Sequence, residues 1–146
     1  MKPGIHVQVL WSDADVFKIR VSAWNGAFGG SVNAYVAIGG LRKAAAEIAG
    51  FPKNSSDIRE LLFGNFGSEW AGGAVRVHFY CKDAAGHAFI TASLESDFQK
   101  GEKAESVTLF GAVEAAAVDD FVMQLKQVEA EQYGSAFLRI GDYVSL

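Results

Sequence analysis

The chain has 146 residues, of which half are apolar and 21% are charged, and its formal net charge is −4. This length and composition predict one globular domain over residues 1–146 and exclude a disordered chain. The acidic balance argues against nucleic acid as a partner, although a local patch of the surface can still be basic. No apolar run is long enough to cross a membrane, and the first residues lack the apolar segment of a signal peptide, so we expect no membrane association.

The single cysteine, Cys81, excludes an internal disulfide bond, so an oxidising compartment is not required and we expect a cytoplasmic protein. Cys81 lies between His78 and His87, and these residue types occur in zinc sites. However, His78 and Cys81 are three residues apart on a predicted strand, so they point to opposite faces of a sheet. We predict no metal site and no cofactor, and we interpret Cys81 as a small buried apolar residue.

Apolar residues alternate with other residues over 5–11, 17–24 and 28–38, and this period of two predicts three strands. Trp11 falls on the inward, apolar side of the first strand in this pattern. The dipeptide Asn25-Gly26 predicts a two-residue hairpin turn of type I′, in which both residues have positive φ. Such a turn pairs odd with even positions, so the apolar residues of both strands share one face.

Helical periodicity predicts a helix over residues 41–49, and Asp57-Ile58-Arg59-Glu60, a variant of the capping box, predicts a short helix over 57–63. The junction at 39–43 combines two glycines with Arg42 and Lys43, and helix N-termini bind anions. It lacks a phosphate-binding motif, so we favour a tight turn there. Residues 64–73 are predicted to form a loop that carries Phe66 and Trp70 between glycines.

The second half repeats the plan, with strands predicted over 75–81, 88–94 and 107–109, a long helix over 113–131 and a possible edge strand over 136–140. The order βββα-βββα predicts an α+β two-layer sandwich, with a mostly antiparallel sheet and helices packed on one face. Acidic residues of the long helix (Asp119, Asp120, Glu129 and Glu131) are interpreted as solvating its outer side. No catalytic carboxylate pair or nucleophile motif is recognised, so enzymatic activity stays undecided.

The candidate site is the face of the strands opposite the apolar one, because it is basic and aromatic in an acidic chain. Successive side chains of a strand alternate between its two faces, and by this alternation Glu95 is the only acidic residue of the predicted strands on the basic face. With Trp70 from the loop, the residues that we select as ligand- or partner-binding are Lys18, Arg20, Trp24, Tyr35, Trp70, Arg76, His78 and Tyr80. The face could bind an anionic ligand, a sugar or an acidic protein patch, or it could be an ordinary solvent face or an oligomer interface.

Three hypotheses of function follow from this face. The first is a non-catalytic interaction module that docks an acidic partner protein. The second is a small-ligand binder or enzyme with a pocket between the sheet and the 64–73 loop, in which Trp70, Arg76, His78 and Tyr80 take part. The third is a homodimer formed through the open sheet face around Trp24, which is compatible with either function.

Overall fold

The computed structural model describes residues 2–98 and 103–141, which form an α+β sandwich as the sequence predicts. Neither described helix combines the length and the apolar content that a membrane crossing requires. In chain order the elements are β1 (Gly4–Ser12), β2 (Val16–Trp24), β3 (Gly29–Ala37), α1 (Gly40–Ile48), β4 (Arg59–Gly64), β5 (Ala74–Cys81), β6 (Ala88–Glu95), β7 (Ser106–Ala112), α2 (Ala115–Glu131) and β8 (Ser135–Arg139).

The strands within residues 2–98 and 103–141 are divided between two antiparallel sheets of four strands each. The first sheet has the order β3-β2-β1-β8, and the second has the order β4-β5-β6-β7. The apolar sides of both sheets and of both helices contribute to one continuous core. Helix α1 packs against α2 and β4, and α2 packs against β8. The basic and aromatic residues therefore lie on two outer faces, and not on the single face that the sequence suggests.

The predicted short helix over residues 57–63 is wrong, because this segment forms β4. Its residues pair with β5 in register, with Leu61 opposite Val77 and Phe63 opposite Val75. Leu61 and Phe63 are buried, whereas Leu62 between them is 45% exposed. This is the period of two that a strand with one buried side requires.

The capping-box residues have another role, since Asp57 and Arg59 close the end of α1. The guanidinium of Arg59 lies 2.7 Å from a carboxylate oxygen of Asp57. It also donates to the carbonyls of Glu47 and Ala49, at 3.2 and 2.9 Å. The hydrogen bond from Arg59 holds the pKa of Asp57 below its usual value. Asp57 and Arg59 of the capping-box motif therefore bind each other and the end of α1, and they do not begin a helix.

The hairpin between β2 and β3 is at the predicted place but is not the predicted turn. Trp24 pairs with Gly29, so the loop has two more residues than a type I′ hairpin. Asn25 is buried, donates its amide to the carbonyl of Phe110 at 3.0 Å and accepts from the backbone N–H of Phe28 at 2.8 Å. Because the register moves by two residues, the apolar residues keep their common face.

Trp11 lies on the outer face of the first sheet, and its inward assignment is wrong. The register of β1 against β2 shifts between Val9 and Trp11, so Trp11 pairs with the outward Lys18. Such a bulge inserts one residue and reverses the alternation beyond it. Trp11 is 45% exposed, and its ring packs edge-on against Tyr35 with centroids 6.4 Å apart.

The edge strand at the end of the chain is confirmed as β8, and it is held by α2. β8 pairs with β1, with Phe137 opposite His6. On its other side, the amide of Gln124 accepts from the N–H of Phe137 at 2.9 Å and donates to its carbonyl at 3.5 Å. The helix thus satisfies backbone groups that an edge strand would otherwise expose.

Strand β3 joins the two sheets, because it contacts all four strands of the second sheet. The N–H of Gly73, before β5, donates to the carbonyl of Asn33 at 2.7 Å. Close approaches between Ala34 and Gly64, and between Gly30 and Val107, show that β3 passes the ends of β4 and β7. The loops at this end of the second sheet consequently lie beside the outer face of β3.

The buried carboxylate of Glu129 connects the two helices. Glu129 is 3% exposed, and its two oxygens accept from the backbone N–H groups of Gly39, Leu41 and Arg42 at 3.0, 3.0 and 3.2 Å. These groups form the N-terminus of α1, where a negative charge is stabilised. The prediction that Glu129 lies on the solvent side of the helix is therefore wrong, whereas Glu131 is exposed as predicted.

We expect Glu129→Gln to lower the free energy of unfolding by about 1–3 kcal/mol, because it removes a charged acceptor from buried N–H groups. Urea unfolding followed by circular dichroism measures this loss. Glu131→Gln is the matched control, since Glu131 is exposed on the same helix. Equal unfolding midpoints for the two variants would contradict the capping role.

Candidate functional site

The outer face of the first sheet is basic, because its four strands contain no aspartate or glutamate. Lys18 and Arg20 lie on β2, and His6 lies on β1. We define the docking face by eleven outward residues of this sheet, namely His6, Gln8, Trp11, Lys18, Arg20, Ser22, Trp24, Ser31, Asn33, Tyr35 and Phe137. A chain with net charge −4 thus presents one sheet surface that strand carboxylates do not neutralise.

The two cations at the centre of the docking face contact neutral side chains. The ammonium of Lys18 lies 5.7 Å from the centroid of the Tyr35 ring. The Nε of Arg20 donates to the side-chain oxygen of Asn33 at 3.3 Å. Within residues 2–98 and 103–141, neither cation forms a salt bridge. Both can therefore attract an added anion without first breaking an ion pair.

An open pocket of about 430 Å³ lies against these cations. Its walls include Lys18, Arg20, Asn33 and Tyr35 from the sheet, Gly72 from the 64–73 loop, and Asp97. This cationic pocket is large enough for a carboxylate side chain or a small organic anion. Asp97 places one negative charge at its border, so the attraction for anions is strongest on the side of Lys18 and Arg20.

A second pocket of about 340 Å³ lies on the same docking face, over β1 and β8. It is lined by Lys2, Gly4, His6, Ser22 and Phe137. The Phe137 ring lies so close to Gly4 that a side chain at this position would collide with it. His6 meets the same ring edge-on, with centroids 6.3 Å apart. We call this the aromatic pocket.

The outer face of the second sheet holds Arg76, His78 and Tyr80, but its charges are partly compensated. Glu60 on β4 lies 3.2 Å from Arg76 and 3.8 Å from the ring nitrogen of His78. The prediction that Glu95 is the one acid on the outer strand faces is wrong, because β4 was interpreted as a helix. Tyr80 stacks against His78 and against Phe89, which is its pairing partner on β6.

The 64–73 loop lies between the two outer faces. Phe66 packs on the guanidinium of Arg76, 4.9 Å from the ring centroid, and the N–H of Gly67 donates to Glu95 at 3.0 Å. At its other end, Gly72 lies against the ring of Tyr35. Trp70 is 50% exposed and does not line either pocket.

The predicted site residues thus separate into two groups. The structure brings Lys18, Arg20 and Tyr35 together in the cationic pocket. Trp24 lies on the same face, with its ring against Gly29, while Arg76, His78 and Tyr80 belong to the other sheet. Sequence reasoning missed Asn33, Trp11 and Phe137. The alternation of side chains along β3 predicts that Asn33 points outward. The outward position of Trp11 depends on the bulge in β1, and the position of Phe137 depends on the pairing of β8 with β1.

The cysteine region contains no complete set of ligands in the described part of the chain. Cys81 pairs with the inward Ala88 and packs against the core, while His78 is on the outer side. His87 hydrogen-bonds to Asp83 at 2.7 Å, which lowers the pKa of Asp83. Residues 2–98 and 103–141 hold no group of three or more histidine, cysteine or acidic side chains arranged for a metal ion.

Comparison with known proteins identifies no relative, since no family model, no curated protein and no solved structure matches the chain. Function is therefore inferred from the chemistry of the two outer faces. The first sheet is the stronger candidate, because its cations are not compensated by strand carboxylates and two pockets open on it.

We expect Gly72→Ala to cost more stability than Gly86→Ala, because only the first substitution meets another side chain. Both glycines have positive φ, 79° and 83°, so both variants carry a backbone cost of about 1–2 kcal/mol. A Cβ at Gly72 would lie 2.9 Å from the Tyr35 ring, whereas one at Gly86 meets nothing within 4 Å. Urea unfolding of both variants measures the difference, and equal losses would refute the packing of the loop on Tyr35.

Proposed function

We propose that this protein is a non-catalytic binding module that uses the docking face of the first sheet to bind an acidic segment of a partner protein. The observation that carries the proposal is the segregation of charge. The strands of this sheet contain no carboxylate, although the chain as a whole carries a net charge of −4. Such a local basic surface attracts acidic partners and orients them as they approach.

The composition of the docking face also suits a protein partner. Trp11 and Tyr35 are 45% and 37% exposed next to Lys18, and Arg20 is exposed beside them. Aromatic residues and arginine are enriched at protein interfaces, because they combine large contact areas with hydrogen bonding or charge. The aromatic rings supply apolar contact, and the cations select for negative charge.

A second copy of the chain is a poorer occupant of this face than an acidic partner. A two-fold dimer places the same patch of both subunits against itself. If the axis passes near Lys18 and Arg20, these cations lie close to the same cations of the other copy. The strands of the first sheet offer no carboxylate to compensate them. Like charges that face each other at an interface oppose association.

A labelled polyglutamate peptide tests the proposal. We expect it to bind the wild-type protein at low salt and to dissociate as salt is added, because salt screens exposed charges. Lys18→Glu/Arg20→Glu should weaken binding at least about ten-fold, since it reverses the charge of the cationic pocket. Fluorescence anisotropy measures the affinity, and size exclusion with light scattering reports the oligomeric state of each protein.

A control on α2 is Lys126→Glu, which reverses one exposed charge where the double variant reverses two. It should bind the peptide as tightly as wild type. The proposal fails if the double variant binds normally, or if Lys126→Glu weakens binding equally. A wild-type dimer that the double variant loses would instead identify the face as a self-association surface.

A small anionic ligand is the second candidate, and the cationic pocket is the observation that favours it. The pocket lies between the sheet and the 64–73 loop, although its walls are Lys18, Arg20 and Tyr35 and not Arg76, His78 or Tyr80. If it binds small carboxylates, citrate should raise the melting temperature of the wild type and of Arg76→Ala, but not of Arg20→Ala. Equal shifts in all three proteins would exclude this candidate.

A further inference from the structure

We infer that the acidic segment also carries a large apolar side chain, which enters the aromatic pocket while its carboxylates contact Lys18 and Arg20. This inference rests on the proposed function and specifies the partner's chemistry. Both pockets open on the docking face, one over β2 and β3 and the other over β1 and β8. A single extended segment that crosses the sheet can reach both.

The aromatic pocket is preformed by contacts within the protein. The Phe137 ring rests on Gly4, which has no side chain to displace it. The backbone of Phe137 is fixed on one side by its pairing with His6 and on the other by the amide of Gln124. Binding therefore does not require ordering of this wall, which reduces the entropic cost of association.

The cationic pocket favours carboxylates and the aromatic pocket favours an apolar side chain, so together they select a segment that contains both. The walls of the aromatic pocket are the rings of Phe137 and His6 with Gly4 and Ser22, and these favour an apolar side chain. Lys2 lies at the same pocket, so carboxylates next to the apolar residue also meet a positive charge. A purely acidic segment leaves the ring of Phe137 unused, and a purely apolar one leaves Lys18 and Arg20 unused.

The order of the strands gives the spacing of the two determinants. The cationic pocket lies over β2 and β3, and the aromatic pocket lies mainly over β1 and β8, which are the next two strands of the sheet. Neighbouring strands are about 4.8 Å apart, which separates the two pockets by roughly 10 Å across the sheet. Their lining residues are also offset along the strands by about three residues, or roughly 10 Å, so the two pockets are about 14 Å apart. An extended chain rises about 3.3 Å per residue. The apolar residue should therefore follow or precede the contacting acid by about four positions.

The experiment compares two labelled peptides of equal length, polyglutamate and the same peptide with one central leucine. We expect the leucine peptide to bind the wild-type protein roughly ten-fold more tightly, from partial burial of the leucine side chain. Phe137→Ala, which removes a wall, and Ser22→Leu, which fills the pocket, should both abolish this preference. Circular dichroism reports whether both variants are folded, and the ratio of the two peptide affinities measured for each variant gives its preference.

The possible outcomes separate the two proposals. If the wild type binds both peptides equally, the aromatic pocket is not used, but the docking face still binds acidic segments. A leucine preference that persists in both Phe137→Ala and Ser22→Leu places the apolar contact elsewhere and overturns the inference. If neither peptide binds the wild type, the proposed function fails together with the inference.

Discussion

The capping of α1 by the buried carboxylate of Glu129 is the interaction on which the arrangement of the first sheet depends. Helix α1 follows β3 and α2 precedes β8, and these strands are the two edges of that sheet. By accepting from Gly39, Leu41 and Arg42, Glu129 fixes α2 to the start of α1. Burial of a charge is costly unless it is hydrogen-bonded, and here the helix N-terminus supplies both donors and a favourable dipole.

Both helices, joined through Glu129, pack on the apolar side of the first sheet, so the opposite, outer face of this sheet is not covered by them. The same division into two sheets separates the charges. Glu60 lies in the second sheet beside Arg76 and His78, while Lys18 and Arg20 lie in the first, where the strands carry no acid. Electrostatic attraction between exposed groups falls off over about 8 Å in physiological salt, so local composition decides what a surface binds. The docking face can consequently be basic in an acidic protein.

Both pockets of the docking face depend on glycines beneath or beside aromatic rings. Gly4 lies under Phe137 in the aromatic pocket, and Gly72 lies against Tyr35 in the cationic pocket. In each case the missing side chain provides the space that the ring occupies. The passage of β3 across the ends of the second sheet brings Gly72 into this position, with Gly73 hydrogen-bonded to Asn33. In the cationic pocket, the orientation of the Tyr35 ring, and therefore the pocket shape, is thus coupled to the packing of the two sheets.

The sequence by itself determined the α+β class, most strands with their inward residues, both helices and the edge strand β8, because alternation and helical periodicity report local burial. Only the tertiary structure decided which strands share a sheet, since that depends on pairing between distant segments. Residues 57–63 show the limit, because a local capping motif favoured a helix while pairing with β5 made β4. The bulge before Trp11 and the burial of Glu129 arise from contacts with β2 and α1, which local periodicity does not encode. Lys18, Arg20 and Tyr35 were therefore predictable as outward residues, but their separation from Arg76 and His78 was not.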